Sequence, residues 1–432
     1  MKSEYLKKFY KKTINEKIKA LIKAGILSEE DADVLQEGLG LPDETADNMI
    51  ENQLATFDLP YGAALNFLID GKEYVIPMAI EEPSVIAAAS AAGKIIGAAG
   101  GFTTSISQRL MIGQLALKNV PDKKQAEQLI LEQKEIILQM ANNAHPSIVK
   151  RGGGAKDLHV RLVEADSTIG SSDFLIVELH IATLEAMGAN IVNTIMEGIA
   201  GYVEKLTNST ALMSILSNYA TECLATASCR IPSHLLRKGN DTGADVRDKL
   251  IEAYQFAYVD PYRAVTNNKG IMNGVDAVVL ATGNDWRAIE AGAHAFAVKN
   301  GQYRSLSTWE KADNGDLIGR LTLPLPVGTV GGSISLHPGA QFSKRLMGYT
   351  TAEELEAIIV SVGLAQNFAA LKALVTEGIQ KGHMGLHARS LALNVGAEGS
   401  EIEQLTSLLK KAPNINTHTA KELLTSIRQI RN

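Results

Sequence analysis

Between Tyr262 and Trp286 the chain reads YRAVTNNKGIMNGVDAVVLATGNDW. One lysine, Lys269, stands among Asn267, Asn268, Gly270, Asn273 and Gly274, and Asp285 follows in a Gly-Asn-Asp turn just before Trp286. A solvated surface lysine needs neither glycines nor amides on both sides. A lysine that holds a substrate oxygen does, because backbone must come close and amides must orient. The alternative is a polar loop between two helices, since loops are generally polar. Taken alone, the stretch leaves both readings open.

The totals narrow the class. With 432 residues, at roughly 100–200 per domain, two or three domains with ample core are expected. Apolar residues make up 45% and charged residues 21%, as in an ordinary globular protein. The formal net charge of -6 gives no field that favours nucleic acid or an anionic membrane. The two cysteines, Cys223 and Cys229, do not have zinc-site spacing and suggest free buried thiols in a reducing compartment. The first residues, MKSEYLKKFYKK, lack the apolar core of a signal peptide. No uninterrupted apolar run reaches the roughly 18 residues of a membrane span. A cytoplasmic protein without a membrane partner is expected.

Residues 2–24 suggest a basic amphipathic helix with Tyr5, Phe9, Ile14, Ile18 and Leu21 near one face. Its lysines 7, 8, 11 and 12 form either a solvated face or a contact for a ligand phosphate. Ser28 with Asp31 marks a helix start, and Gly38 a stop. Residues 65–79 alternate as strands around Asp70-Gly71. Glu81-Glu82-Pro83-Ser84 then leads into an Ala/Gly-rich helix, proline suiting its first turn and small side chains allowing close packing. Residues 121–143 suggest one amphipathic helix, strands are expected near 158–164 and 173–183, and another helix from Leu184. Helix, strand, strand, helix is the pattern of a ferredoxin-like sandwich, so residues 109–220 are expected to form an inserted domain. Further on, a helix is expected over 244–258, a hairpin at Asn314-Gly315, and a capped helix from Thr351 with Glu354. Two capped helices, from Ser400 and Thr419, close the chain.

No G-x-G-x-x-G occurs, so a Rossmann dinucleotide site is not supported. Met187-Gly188-Ala189-Asn190 offers another place for phosphate, a helix N-terminus with glycine. His383 and His387 are four apart, but without an HExxH glutamate or a nearby third ligand no metal is expected. Glycines around His383 suggest a hinge and a mobile lid.

Five strings, in order along the chain, join these dispersed candidates: Glu81-Glu82-Pro83-Ser84-Val85, Glu185-Ala186-Met187-Gly188-Ala189-Asn190, Asn268-Lys269-Gly270-Ile271-Met272-Asn273-Gly274, Thr282-Gly283-Asn284-Asp285-Trp286 and Gly382-His383-Met384-Gly385-Leu386-His387. From about residue 50 to the C-terminus the chain closely resembles 3-hydroxy-3-methylglutaryl-CoA (HMG-CoA) reductases of the soluble bacterial (class II) form. The resemblance implies an α/β (α+β) fold in four parts. A large substrate-binding domain with a central helix would cover 1–108 and 221–376. A small, non-Rossmann, ferredoxin-like cofactor domain would cover 109–220, and a C-terminal helical flap 377–432. It also implies a homodimer with the site at the interface, and reduction of HMG-CoA to mevalonate and CoA by two nicotinamide hydrides, in the mevalonate route to isoprenoids.

The resemblance assigns roles. Lys269 matches the cation that meets the oxyanion, His383 the acid for the departing CoA thiolate, and Glu82 the general acid of the second reduction. Asp285 matches the carboxylate that ties lysine to glutamate. Since a nearby lysine favours ionised Glu82, burial and the like charge of Asp285 are expected to raise its pKa. Ser84, Arg263 and Asn273 match substrate-binding positions, the arginine suiting a carboxylate. Glu185, Met187, Gly188, Asn190 and Asn218, with His145, Lys150 and Arg151, are the cofactor candidates. Members that prefer NADH carry an acidic residue where this chain has His145 before Pro146, so NADPH is expected, with NADH possible. Near the N-terminus the family often has Phe-Arg, where this chain has Phe9-Tyr10-Lys11-Lys12, leaving the CoA-phosphate contact open among Tyr10, Lys11 and Lys12. Two rival readings remain: a Schiff-base enzyme with Lys269 as nucleophile, and a CoA- or nucleotide-binding module without catalysis.

Overall fold

The computed structural model describes residues 2–378 and 388–431. Two sheets organise it. The larger has six strands in the order β11-β12-β8-β3-β1-β2. They are β1 (Tyr61–Ile69), β2 (Lys72–Ala79), β3 (Phe102–Ile106), β8 (Leu224–Ile231), β11 (Ser307–Lys311) and β12 (Leu317–Pro324), while β9 (Val298–Lys299) and β10 (Gln302–Tyr303) pair as a separate short ribbon. All pairings are antiparallel except β1 with β3. The smaller sheet holds β4 (Leu110–Lys118), β5 (Gly154–Val163), β6 (Phe174–Ala182) and β7 (Thr210–Ser217) in the order β5-β6-β4-β7. With its helices in sequence, this is the β-α-β-β-α-β arrangement of a ferredoxin-like sandwich.

Each sheet has its own core. Behind the larger lie Phe67, Ile76, Phe102, Trp309 and the Ala352–Val375 helix, whose run from Ser361 to Phe368 is buried without interruption. That helix is long and apolar enough to cross a membrane. Here it packs against β8, β12 and the helices Val85–Ala98 and Pro261–Ala281. Met111, Leu115, Val177, Leu179, Ile195 and Ile199 fill the smaller sheet's core. A third cluster, with Leu391, Leu405, Leu409 and Leu424, sits near the C-terminus.

Local chemistry explains several elements. Asp70 and Gly71 both have positive φ, as a tight hairpin turn requires. The Val85–Ala98 helix lies close on β1: a Cβ at Gly93 would stand 3.1 Å from the Asn66 carbonyl, where β1 bulges. Ser28 and Asp31 cap the Glu29–Glu37 helix as expected.

Other expectations are corrected. Residues 2–24 do not form one helix. Lys8 turns left-handed, and Thr13 with Glu16 builds a capping box that starts a new helix, Ile14–Lys23. The segment 121–143 is two helices, Lys123–Glu132 and Lys134–Ala144. They bend at Gln133, whose side chain accepts from Tyr202, so that both halves follow the Ala189–Thr207 helix. That helix begins five residues later than expected, after Gly188 at φ 89. Pro83 lies ahead of its helix rather than in the first turn. Near the C-terminus one helix starts at Ser400 as expected, after Gly399 and without a side-chain cap, while the last starts at Thr417, two residues ahead of Thr419, with Asn416 accepting from Thr419 N.

Candidate active site

The stretch 262–286 is not a polar loop. Pro261–Ala281 is one helix, capped by Asp260 accepting from Arg263 N. Its glycines serve packing on one side and openness on the other. A Cβ at Gly274 would meet Gln366 Cβ and Val362 Cγ1 at 3.1 Å, whereas Gly270 faces open space. Asn267 and Asn268 are buried and hold the helix in place. Asn267 donates to Ser305 Oγ and accepts from Asn367; Asn268 donates to the Arg304 carbonyl and accepts from Leu306 N. Asn367 in turn accepts from Ser307 Oγ and Trp309 Nε1. Lys269, next in sequence, therefore projects from a fixed backbone.

Lys269 Nζ donates to Glu82 Oε2 at 2.7 Å. Their side chains remain 59% and 35% exposed, so the pair faces solvent. Glu82 stands between β2 and the Val85–Ala98 helix. Ser84, at that helix start, has φ 76, a left-handed conformation uncommon for a residue with a Cβ. Such strain persists where the surroundings impose it, often at binding sites. Arg263 and Asn273 lie half-buried on the Lys269 helix. Burial pushes the Arg263 guanidinium down from its ordinary value.

Asp285 is the N-cap of the Trp286–Phe296 helix, accepting from Arg287 N and Ala288 N, and stands 3.2 Å from the Arg287 guanidinium. The partner found for Glu82 is thus Lys269, while Asp285 engages its own helix. His383 and His387 lie outside the described residues.

The cofactor candidates fall in two groups. His145 Nδ1 lies 3.2 Å from Ser147 Oγ, beside exposed Lys150 and Arg151, in a shallow concavity lined also by Ala144 and Pro146. Glu185, Met187, Gly188 and Asn190 surround the start of the Ala189–Thr207 helix, which lacks a side-chain cap. Its first N–H groups are open to an anion. Gly188 is required there, since a Cβ would clash with Thr183. Glu185 turns inward: Oε2 accepts from Ala352 N at 2.7 Å and Thr329 Oγ1 at 3.1 Å. Asn218 is exposed beyond β7, its carbonyl against Gly292.

Two polar groups, one half-buried and one buried, were not anticipated. Asp276 shares a hydrogen bond with Glu290, which also bonds to His294 Nε2 at 2.6 Å; His294 Nδ1 meets Tyr303 Oη at 2.7 Å. Burial first, then Glu290, pushes Asp276 up, while the His294 bond holds Glu290 down. The second group joins Arg109, Glu356 and Cys223. Glu290 and His294 are four apart on one helix, but Asp276 joins them from another helix, and Arg109, Cys223 and Glu356 come from distant segments.

Over residues 13–388 the chain matches the family model for hydroxymethylglutaryl-coenzyme A reductase. The chain belongs to the HMG-CoA reductase family. The reductase of Archaeoglobus fulgidus is 45% identical over 421 residues, covering 97% of this chain and 94% of that one. A structure of the Streptococcus pneumoniae reductase superposes with a TM-score of 0.84 at 49% identity, covering 98% and 99% of the two chains. Another structure from that organism, described as the class II enzyme bound to NADPH in open conformations, gives 0.82 at 49% identity, covering 96% and 100%. As an HMG-CoA reductase the chain is an oxidoreductase of α/β architecture. The binding-module reading is set aside. So is the lysine-nucleophile reading, which calls for a desolvated lysine rather than a solvent-facing ion pair.

Proposed function

We propose that Glu82 and Lys269 are the reacting pair of this reductase, and that it converts (S)-HMG-CoA to (R)-mevalonate and CoA with two NADPH. The carrying observation is their 2.7 Å contact, in the open, on a rigidly held helix. Lys269 meets the oxyanion that forms when the thioester carbonyl carbon accepts a hydride. The C–S bond of the hemithioacetal then breaks and His383 protonates the departing thiolate. Glu82 gives a proton to the aldehyde oxygen in the second reduction. Asp285 is the carboxylate that ties lysine to glutamate, and Arg263, Ser84 and Asn273 hold the HMG portion.

When bound, the nicotinamide supplies both hydrides. The open helix start at Ala189 suits a pyrophosphate, and His145, Lys150 and Arg151 suit the 2′-phosphate of NADPH, with nothing acidic at 145 to repel it. We read residues 109–220 as the cofactor domain, 1–108 and 221–376 as the substrate domain, and 377–432 as the flap. Tyr10, Lys11 and Lys12 remain the candidates for the CoA phosphates, and Tyr10 is 80% exposed.

We also read the enzyme as a cytoplasmic homodimer with the site at the interface. Phe256, Val259, Tyr262 and Val265 are all more than half exposed around the start of the Lys269 helix, and exposed apolar patches mark interfaces. Cys223 and Cys229 are free and buried.

The test is loss of nicotinamide absorbance with purified protein and HMG-CoA, with NADPH and NADH in parallel. HMG-CoA-dependent oxidation of two NADPH per CoA released supports the reading. NADH as the better donor would overturn the NADPH preference, and no oxidation of either would overturn the activity.

A further inference from the structure

The turn that precedes the Ala189–Thr207 helix is held from beneath by one guanidinium. Leu184 has φ 55, a costly left-handed conformation for a branched L residue. Its carbonyl accepts from Arg109 Nη1. The same guanidinium donates Nη2 to the Val327 carbonyl at 2.5 Å and Nε to Glu356 Oε1 at 2.6 Å. Leu184 directly precedes Glu185, and Val327 directly precedes Gly328.

Those two segments are themselves joined. Thr329 N donates to the Glu185 carbonyl at 2.8 Å, and Ala186 bridges Val330. Gly328 leaves no room for a side chain: a Cβ would stand 2.7 Å from Met187 N and 3.0 Å from the Glu185 carbonyl. The Glu185 carboxylate anchors on Ala352 N, the first residue of the helix that carries Glu356. That helix also packs on the Lys269 helix, through Val362 and Gln366 against Gly274. Arg109 immediately precedes β4, where the chain enters the smaller sheet. Cys223, just before β8 where it leaves, has Sγ 3.6 Å from Glu356 Oε1.

We propose that Arg109, held by Glu356, is a positioning residue for the dinucleotide: it sets the 184–188 turn, and the helix start behind it, in fixed relation to Lys269 and Glu82. The inference rests on the reductase reading. Arginine is required because three acceptors in different directions must be met at once by a planar fork; lysine offers a point charge. Glu356 is fully buried, and its Oε2 has no partner among the described residues. Burial pushes its carboxyl up to about 7, against the opposing pull of the Arg109 guanidinium.

The experiment compares full-length wild type, Arg109→Lys and Glu356→Gln. It reads the NADPH Kd by nicotinamide fluorescence, the KM for each substrate, kcat, and a thermal melt. Arg109→Lys loses charge-assisted hydrogen bonds, so the NADPH Kd and KM are expected to rise about ten- to hundredfold. The KM for HMG-CoA should stay within about twofold. Glu356→Gln keeps an acceptor for Arg109 Nε, so a several-fold rise in the same direction is expected. It decides the matter if Arg109→Lys does not fold. An NADPH Kd unchanged in the folded variants overturns the inference, as does an equal rise in both KM values, since a merely structural staple would do that. Either result leaves the reductase reading standing if wild type turns over. Wild type that neither binds nor oxidises NADPH overturns both.

Discussion

Lys269 and Glu82 meet from positions 187 apart in the chain. An exposed ion pair contributes only about 0–1 kcal/mol to stability, so the proposed role is tested by activity and not by stability. Lys269→Ala should lower kcat about 10²–10³-fold, the usual loss when a donor to an oxyanion is removed, with an unchanged melting curve. A loss below about tenfold by the HMG-CoA-dependent NADPH assay would count against the role. Glu82→Gln should lower reduction of added mevaldehyde by about 10²–10⁴-fold with the NADPH KM unchanged. His145→Glu would place a carboxylate beside Lys150 and Arg151. NADPH KM should rise, and the NADH-to-NADPH ratio of kcat/KM should shift by roughly tenfold, about one screened charge–charge interaction. Equal effects on both cofactors would remove His145 from the 2′-phosphate.

At the scale of elements, the Lys269 helix is held by its neighbours more than by its own propensity. Gly270 and Gly274 lie inside it, and each glycine in a helix costs about 0.8–1.0 kcal/mol relative to alanine. Tertiary contacts offset this: Gly274 lets the Ala352–Val375 helix approach, and the Asn267–Asn367–Trp309 network satisfies the buried amides. Asn367→Ala would leave Trp309 Nε1 and Ser307 Oγ without their acceptor. At about 1–3 kcal/mol per orphaned group, urea denaturation should show a loss of about 2 kcal/mol or more. A loss under about 0.5 kcal/mol, the range of ordinary surface substitutions, would mean water or a rearranged partner satisfies them.

At the scale of the molecule, two sheets with separate cores meet around Arg109, Glu356 and Cys223. The pH dependence of this junction has a definite sign. Glu356 is raised from 4.5 to about 7, chiefly by burial. The folded state therefore binds more protons than the unfolded one across that interval. The stability it contributes is full below about pH 4.5 and is lost as pH rises to about 7. Glu356→Gln cannot titrate. Stability of wild type minus variant should therefore fall by up to about 3 kcal/mol between those values, at 1.36 kcal/mol per unit. Denaturant titrations at several pH values measure this. A difference that stays flat, or grows with pH, would show that Glu356 is not buried as described.

Much of this was legible in the residues, and the division has a physical basis. Alternation and turn chemistry located β1, β2, β5 and β6, because strand period and the φ demands of Asp70-Gly71 are local properties. Five short strings identified the family, because close backbone approach and reacting groups restrict residue type position by position. Helix boundaries were less legible: Thr13 with Glu16 and the bend at Gln133 broke stretches whose apolar period runs on. The stretch from 262 left loop and helix open, because its glycines and amides disfavour a helix in isolation. Burial against the Ala352–Val375 helix decided it. Tertiary structure alone brought Glu82 to Lys269, turned the Glu185 carboxylate onto Ala352, and joined Arg109 to Leu184, Val327 and Glu356. These contacts link segments far apart in sequence, and are set by how two sheets and a buried helix pack, which no local pattern of residues encodes.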